Sequence, residues 1–525
     1  MTAGTRLFAG LARLGPCTRF SVRVERDLPV TMSDGEVLLA DRWYADDGGV
    51  SDPVVVVRTP YGRSQIDLVS RLLAERGLNV VVQSCRGTFG SSGHFEPFFA
   101  EENDGADTLT WLDGQAWASG EWLLFGVSYL GLTAWSMKRR SPRPIGALAL
   151  AVTSTDFRRA VIYPSGRFGL SNALAWRYQL RDQELPNLRL WLSRARLTRK
   201  IRYATREGLA AGADVRAFGE IDQPYRDWLD HESTDPWWKR IDFDDEVKTL
   251  PPTLLVAGWY DLFLDAQLDD YARMRAAGHE VRLVIGPWVH SSPGLFLAAV
   301  RETLNLFTGD RKNSGARVWF GGTRRWTRMP EFPPRSELRR WTLGADARLT
   351  RDGGSSSERS EVRSKRELVP EVSPAPAAGG RTLFAADAGR RDQRHREGRS
   401  DVLIYTTEPL AEDLTIVGRP SAGLAVEAVD GQPWFVRLCD VSRSGRSHNV
   451  SDGTVVVAAL GEADRPRDVE ITLSPTAHVF RRGHRIRLQV SAEASPTYAA
   501  DSAAPSRGVV FDGVDGVSFL DLPAV

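Results

Sequence analysis

The sequence predicts a doubly wound α/β domain interrupted by a helical insertion and followed by an all-β domain. Three observations carry this reading. Short, continuous β-branched runs alternate with helix-like stretches up to residue 312, a strand-poor stretch rich in Arg and Trp fills about 155–245, and many short alternating segments follow from about 315. The length of 525 residues itself points to two or three domains.

Residues 20 to 44 alternate as strands do, with Phe20, Val22, Val24, Val37 and Leu39 around a Ser33-Asp34-Gly35 turn, and read as an antiparallel hairpin. Val54 to Val57 and Val80 to Val82 are apolar throughout and flank a helix-like segment from Leu68 to Arg76. Such runs fit strands buried on both faces of a parallel sheet. Leu123 to Phe125, Ala147 to Val152, Leu254 to Ala257 and Val281 to Ile285 continue the series.

These runs divide the chain into a discontinuous α/β domain (20–154 and 246–312), a helical cap (155–245) and a β domain (313–525). The β domain reads as a sandwich or jelly roll from segments such as Val402 to Tyr405, Thr454 to Leu460, Val469 to Leu473 and Ile486 to Val490. Within it, 351–380 is rich in Ser, Glu, Arg, Pro and Gly and is expected to be a mobile surface loop.

Composition narrows function. Hydrophobic residues make up 42% and charged residues 26%, a globular profile, and the formal net charge of +1 gives no electrostatic footprint for nucleic acid or anionic lipid. The three cysteines, Cys17, Cys85 and Cys439, lie too far apart for a disulfide framework or a paired zinc motif. No metal and no cofactor is expected. The segment Met1 to Pro16 carries Arg6 and Arg13 and lacks a signal peptide's apolar stretch, and no run approaches a transmembrane length, so a cytoplasmic location away from the membrane is expected.

The chemistry is written at strand ends. Leu123 to Gly131 reads Leu-Leu-Phe-Gly-Val-Ser-Tyr-Leu-Gly: a buried strand, a tight turn at Ser128 and a helix expected from near Leu132. Such a turn holds a nucleophile in a strained conformation that only small neighbours permit, and it lifts the hydroxyl over the carboxyl edge of the sheet. A serine hydroxyl needs a base, and the base needs an orienting carboxylate. Asp261 follows one later strand in Gly258-Trp259-Tyr260-Asp261, and His290 follows the next in Gly286-Pro287-Trp288-Val289-His290. This is the Ser, Asp, His order of α/β hydrolases. Leu130 stands where the strict G-x-S-x-G pattern wants glycine, which arrives one residue later.

With these motifs the chain resembles the cocaine esterase and Xaa-Pro dipeptidyl-peptidase-like hydrolases. The resemblance rests also on Arg58-Thr59-Pro60-Tyr61-Gly62, on Arg86-Gly87 with Ser91 and Gly93, on Asp392-Gln393-Arg394, on Asp401 to Tyr405, and on His478-Val479-Phe480 with Gly483-His484-Arg485. It implies an α/β-hydrolase domain, a cap and a C-terminal jelly roll, and an elbow with tyrosine after the serine. It further implies an oxyanion site made by the Tyr61 hydroxyl and the backbone N–H of Tyr129. Residues beside the acid and the base border the acyl site in relatives, so Trp259, Phe263 and Trp288 are expected to line the substrate pocket.

The expected reaction is cleavage of a carboxylic ester or amide through an acyl-enzyme on Ser128, with a small molecule or a short peptide as substrate. The resemblance leaves open an Xaa-Pro dipeptidyl-peptidase, which needs a carboxylate such as Asp182 or Glu184 for the substrate amine, and an amine or β-lactam side-chain acylase. A binding protein with an inert hydrolase domain predicts a damaged triad. Dimers occur among relatives, so a homodimer is an open alternative. The cap aromatics Tyr163, Phe168, Trp176, Trp191, Trp228, Trp237 and Trp238 read mostly as core, with two or three left for a pocket wall. Gly87, Gly90 and Gly93 lack the Lys-Ser/Thr of a phosphate loop, Cys85 reads as inert packing, and His484 as structural.

Overall fold

The computed structural model describes residues 2–19, 21–46, 51–185, 187–309, 311, 314–344, 346–351, 364–369, 371, 379–383, 388–427, 432–457, 467–499, 508–512 and 518–525, without the side chains of 187, 188, 190–195 and 364. Its first half is built on a ten-stranded sheet. The strands are β1 (Val22–Thr31), β2 (Val37–Ala45), β3 (Val54–Thr59), β4 (Asn79–Ser84), β5 (Trp122–Val127), β6 (Ile145–Ala151), β7 (Thr253–Gly258), β8 (Val281–Gly286), β9 (Gly315–Phe320) and β10 (Arg325–Met329). Their order across the sheet is β1-β2-β4-β3-β5-β6-β7-β8-β9-β10.

The expected hairpin is β1 paired with β2, turning at Gly35 with φ +90°, a left-handed conformation that glycine adopts without cost. From β4 to β9 every neighbouring pair is parallel. Every residue of β3, β4 and β7 is buried, as apolar runs sandwiched between helices require. Going from β3 to β4 and back to β5 on the other side of β3 creates the reversal of strand order at which open α/β sheets bind ligands.

Residues 315–329 join this sheet, although their texture groups them with the β domain. β9 continues it in parallel with β8, and β10 pairs antiparallel with β9. Alternating burial along β9 identifies a half-buried strand, but a period of two says nothing about which sheet the strand joins.

The cap between β6 and β7 comprises the helices Leu170–Asp182, Asn187–Ala204, Ala213–Phe218 and Gln223–Asp230 with shorter helical turns. The C-terminal half is all-β. Among the described residues it forms a nine-stranded and a four-stranded sheet, joined entirely by antiparallel pairs. Trp341, Tyr405, Trp434, Leu438 and Phe480 are among the side chains of the core between them.

Most of the expected loop 351–380 lies outside the described residues, as do Phe20 and 458–460. Within that span Ser364–Leu368 is a strand paired with Gly508–Asp512, a partner far away in sequence that local composition does not reveal. No helix among the described residues is long and apolar enough to cross a membrane.

The β domain is tied to the sheet by charge. Asp265, on the helix Leu264–Ala276 after β7, pairs with Arg381 at 3.3 Å and Arg419 at 3.0 Å and accepts a hydrogen bond from Ser474 Oγ at 2.6 Å. Arg381 also pairs with Asp452 at 2.8 Å.

Beneath the sheet's carboxyl edge, the fully buried Arg58 of β3 pairs with Glu101 at 2.8 Å and donates to Gln83 Oε1 at 2.8 Å. Removing one side of a buried pair strands the other charge in an apolar surrounding. Arg58→Met is therefore expected to destabilise the fold by about 3–5 kcal/mol, read as a lower midpoint in chemical denaturation.

Candidate active site

β5 delivers its chain directly into the elbow. Ser128 has φ 57° and ψ −125° and is the cap of the helix Tyr129–Arg139, which starts three residues earlier than expected near Leu132. A side chain at 126 would place its Cβ 2.2 Å from the Leu130 carbonyl oxygen, and one at 131 would come within 2.4 Å of Thr153 Cγ2. The glycines of the motif therefore belong at 126 and 131. Leu130, which breaks the commoner pattern, faces the cavity described below.

The other two candidates converge on Ser128. His290 Nε2 lies 3.0 Å from Ser128 Oγ, and His290 Nδ1 lies 2.7 Å from Asp261 Oδ2. Asp261 is fully buried, and its other oxygen accepts the Phe263 N–H at 2.8 Å. With both carboxylate oxygens engaged, Nδ1–H points at the acid and Nε2 is left to accept the serine proton.

The loops that carry acid and base are cross-tied. Trp259 N–H donates to Gly286 O at 2.9 Å and Tyr260 N–H to Trp288 O at 3.0 Å. The Trp288 ring lies so close to Gly286 that a Cβ there would be 2.5 Å from it.

Tyr61, just past β3, is the third strand-end residue. Its hydroxyl accepts the indole N–H of Trp176 at 2.9 Å, and burial pushes its phenol up, so it stays protonated. The Tyr129 side chain turns the other way: its hydroxyl accepts the Phe98 N–H at 2.8 Å and donates to Glu101 Oε1 at 2.9 Å. Its backbone N–H is the first of the helix and has no acceptor within that helix.

Ser128, His290 and Tyr61 open onto a cavity of about 460 Å³. The sheet edge contributes Thr59, Gln65, Ile66 and Leu130, and the cap contributes Ala175, Trp176, Gln179, Leu197 and Thr198. Phe296 and Leu383 close it from the helix after β8 and from the β-domain side.

Three expected pocket residues do not line this cavity. Trp259 donates through Nε1 to Trp319 O at 2.7 Å and packs on Phe332, while Trp288 packs on Trp326. Phe263 is buried between Phe157 and the His290 ring, 5.7 Å from the latter between centroids, where it packs against the candidate base. Adjacency to a candidate catalytic residue in sequence does not decide which way a turn sends the next side chain. Asp182 and Glu184 do not line the cavity either, and Glu184 accepts the Phe89 N–H at 3.0 Å.

Cys85 is buried with its thiol pushed well up by desolvation, and His484 is held by Asp440 at 2.7 Å, both as expected of packing residues. The side chain of Trp191 lies outside the described residues. Among the lining residues that the strand-end motifs do not mark, Gln65 sits four residues after Tyr61, close enough for that motif to point to it, whereas nothing local marks Phe296 or Leu383.

Residues 34–292 match the X-Pro dipeptidyl-peptidase (S15 family), and residues 309–516 match the X-Pro dipeptidyl-peptidase C-terminal non-catalytic domain. The chain is 31% identical over 543 residues to the cocaine esterase of Rhodococcus sp. (strain MB1 Bresler), covering 91% of this chain and 92% of that one. Its fold is similar to that of an aminopeptidase from a marine sediment Thaumarchaeota archaeon, with TM-score 0.79, 20% identity and 97% of both chains covered. It is also similar to that of an α-amino acid ester hydrolase, with TM-score 0.77, 19% identity and 98% of both chains covered. The two family matches together span most of the chain, the Rhodococcus relative is similar along nearly its whole length, and the chain belongs to the cocaine esterase and X-Pro dipeptidyl-peptidase (S15) family of serine hydrolases.

Proposed function

We propose that this serine hydrolase is a carboxylesterase for small esters with an uncharged acyl group, working through an acyl-enzyme on Ser128. The observation that carries the reading is the unbroken chain from Asp261 through His290 to Ser128, opening onto a cavity whose described wall contains no carboxylate.

In this mechanism Ser128 Oγ attacks the ester carbonyl while its proton passes to His290 Nε2. The tetrahedral oxyanion is held by the Tyr61 hydroxyl and the Tyr129 N–H. His290 then returns the proton to the departing alkoxide. Water, deprotonated by the same nitrogen, attacks the acyl-enzyme and frees the acid and Ser128. Asp261 remains ionised throughout and holds Nδ1–H, so that the imidazolium formed in each half-reaction is stabilised.

An X-Pro dipeptidyl-peptidase must bind a substrate ammonium, and a buried ammonium needs a carboxylate close by. The wall instead presents neutral polar groups, Gln65 and Gln179 with Thr59, Thr198 and Ser291, which favours the ester reading, as does the name of the Rhodococcus relative. The division of labour we assign is an α/β domain of 20–154 and 246–312 that carries the three residues, a cap of 155–245 over them, and a β domain from 313 onward whose first two strands extend the catalytic sheet.

Comparison of kcat/KM for 4-nitrophenyl benzoate with that for glycyl-prolyl 4-nitroanilide, with Ser128→Ala as blank, tests the proposal. Ester turnover should fall on the order of 10⁶-fold in the variant, and the anilide should be left uncut by the wild type. Fast anilide cleavage would replace the esterase by a peptidase.

Asp261→Asn should lower kcat about 10⁴-fold without loss of fold, because the imidazole loses its orienting acceptor. Tyr61→Phe should lower kcat roughly 100- to 1,000-fold, and wild-type rates in that variant would remove Tyr61 from the mechanism.

A further inference from the structure

The indole N–H of Trp176 ends on the atom that the proposed reaction uses as an oxyanion donor. Trp176 lies in the cap helix Leu170–Asp182 and is only 4% exposed. Its ring stacks on Trp228, with 5.3 Å between centroids and 10° between planes, and packs 5.6 Å from the Tyr129 ring and 5.2 Å from that of Phe98. Wedged in this way, the indole has little freedom to turn its N–H elsewhere.

A phenol oxygen carries one proton and two lone pairs. Tyr61 Oη accepts from Trp176 at 2.9 Å and donates to no described residue, so its proton is left for the cavity that Tyr61 shares with Ser128. Accepting a hydrogen bond also polarises the O–H and strengthens it as a donor. In line with this, burial pushes the phenol up while the indole contact pulls against it.

We propose that Trp176 is a positioning residue of the oxyanion site, aiming the Tyr61 proton at the developing charge and making turnover depend on how the cap is seated. The proposal rests on Tyr61 acting as the oxyanion donor. It differs from a purely structural role, in which a buried indole N–H simply finds the nearest acceptor. A structural role touches substrate binding or stability, whereas a positioning role acts through Tyr61 and vanishes with its hydroxyl.

The test is a double-mutant cycle on kcat with 4-nitrophenyl benzoate, using Trp176→Phe, Tyr61→Phe and the pair. Replacement of Trp176 by 3-benzothienylalanine, which keeps the fused bicyclic shape and puts a sulfur in place of the N–H, serves as the second variant and secures the result if Trp176→Phe does not fold. Either single replacement of Trp176 should lower kcat roughly tenfold, the rate equivalent of one hydrogen bond, with KM and the melting temperature of the benzothienyl protein unchanged. In the Tyr61→Phe background the same replacement should change kcat by less than about twofold.

Equal losses in both backgrounds, or a loss confined to KM, overturn the proposal while leaving the role of Tyr61 intact. A Tyr61→Phe enzyme as fast as the wild type removes the oxyanion reading itself, and the positioning role with it.

Discussion

Residue 131 has no room for a Cβ beside the Thr153 side chain, and residue 126 has none because the backbones of β5 and of the helix that follows it approach so closely; this backbone contact governs the half of the molecule that carries Ser128. The turn that joins them forces Ser128 to φ 57°, a region that costs a non-glycine residue about 1–3 kcal/mol. Val152, at the end of the adjacent β6, is also left-handed at φ 43°, which is rarer still for a β-branched side chain, and the residue after it packs under Gly131. Two strained residues on neighbouring strands persist only where the surroundings over-determine them. Here those surroundings are the parallel ladder, with Ser128 N–H bonded to Ala151 O and Val152 N–H to Val256 O.

The strain has a mechanical use. It exposes one hydroxyl at the end of a buried strand and leaves the N–H groups of a helix start beside it. Beneath the turn, Tyr129 locks the helix start to Glu101, and Arg58 neutralises Glu101 in turn, so the elbow stands on a polar network with little freedom to relax. On the far side, Asp261 and His290 ride on consecutive loops tied to each other by main-chain hydrogen bonds and by the Trp288 ring. Rigid supports on both sides are what keep Oγ and Nε2 within hydrogen-bond reach before any substrate arrives.

How much of this is legible in the sequence follows from where each residue sits on its element. Ser128, Asp261 and His290 come just past the ends of predominantly apolar runs, and in a parallel sheet such ends share one edge, so linear order alone places the three together. Trp259, Phe263 and Trp288 come just as close in sequence, yet their side chains pack under the loops or behind the base, because the direction of a side chain in a turn depends on dihedrals that no periodicity encodes. Trp176 lies mid-helix among other cap aromatics, and only the fold of the cap tells that its N–H meets Tyr61. Leu383 comes from the far side of the domain boundary, and β9 carries a strand pattern that fits either sheet.

The reach of Leu383 into the cavity bears on why the chain carries a second half at all. The helix Leu264–Ala276 begins three residues after Asp261, and its first turn holds Asp265, the carboxylate gripped by Arg381 and Arg419. Arg381 is two residues from Leu383, and Thr382 between them donates to Asn172 Oδ1 of the cap helix that carries Trp176. One short segment thus touches the acid's helix, the cap and the cavity wall at once. An ion pair at such a junction contributes little to global stability when part-exposed, as Asp265 is. Its geometric effect is larger: together with the Thr382–Asn172 hydrogen bond it ties the helix after β7, the cap and the β domain to one another beside the cavity onto which Ser128 opens. The β domain accordingly contributes a wall of the cavity at Ser128 and holds the helix that follows Asp261, so on the proposed mechanism it shapes the candidate active site without supplying a reacting group.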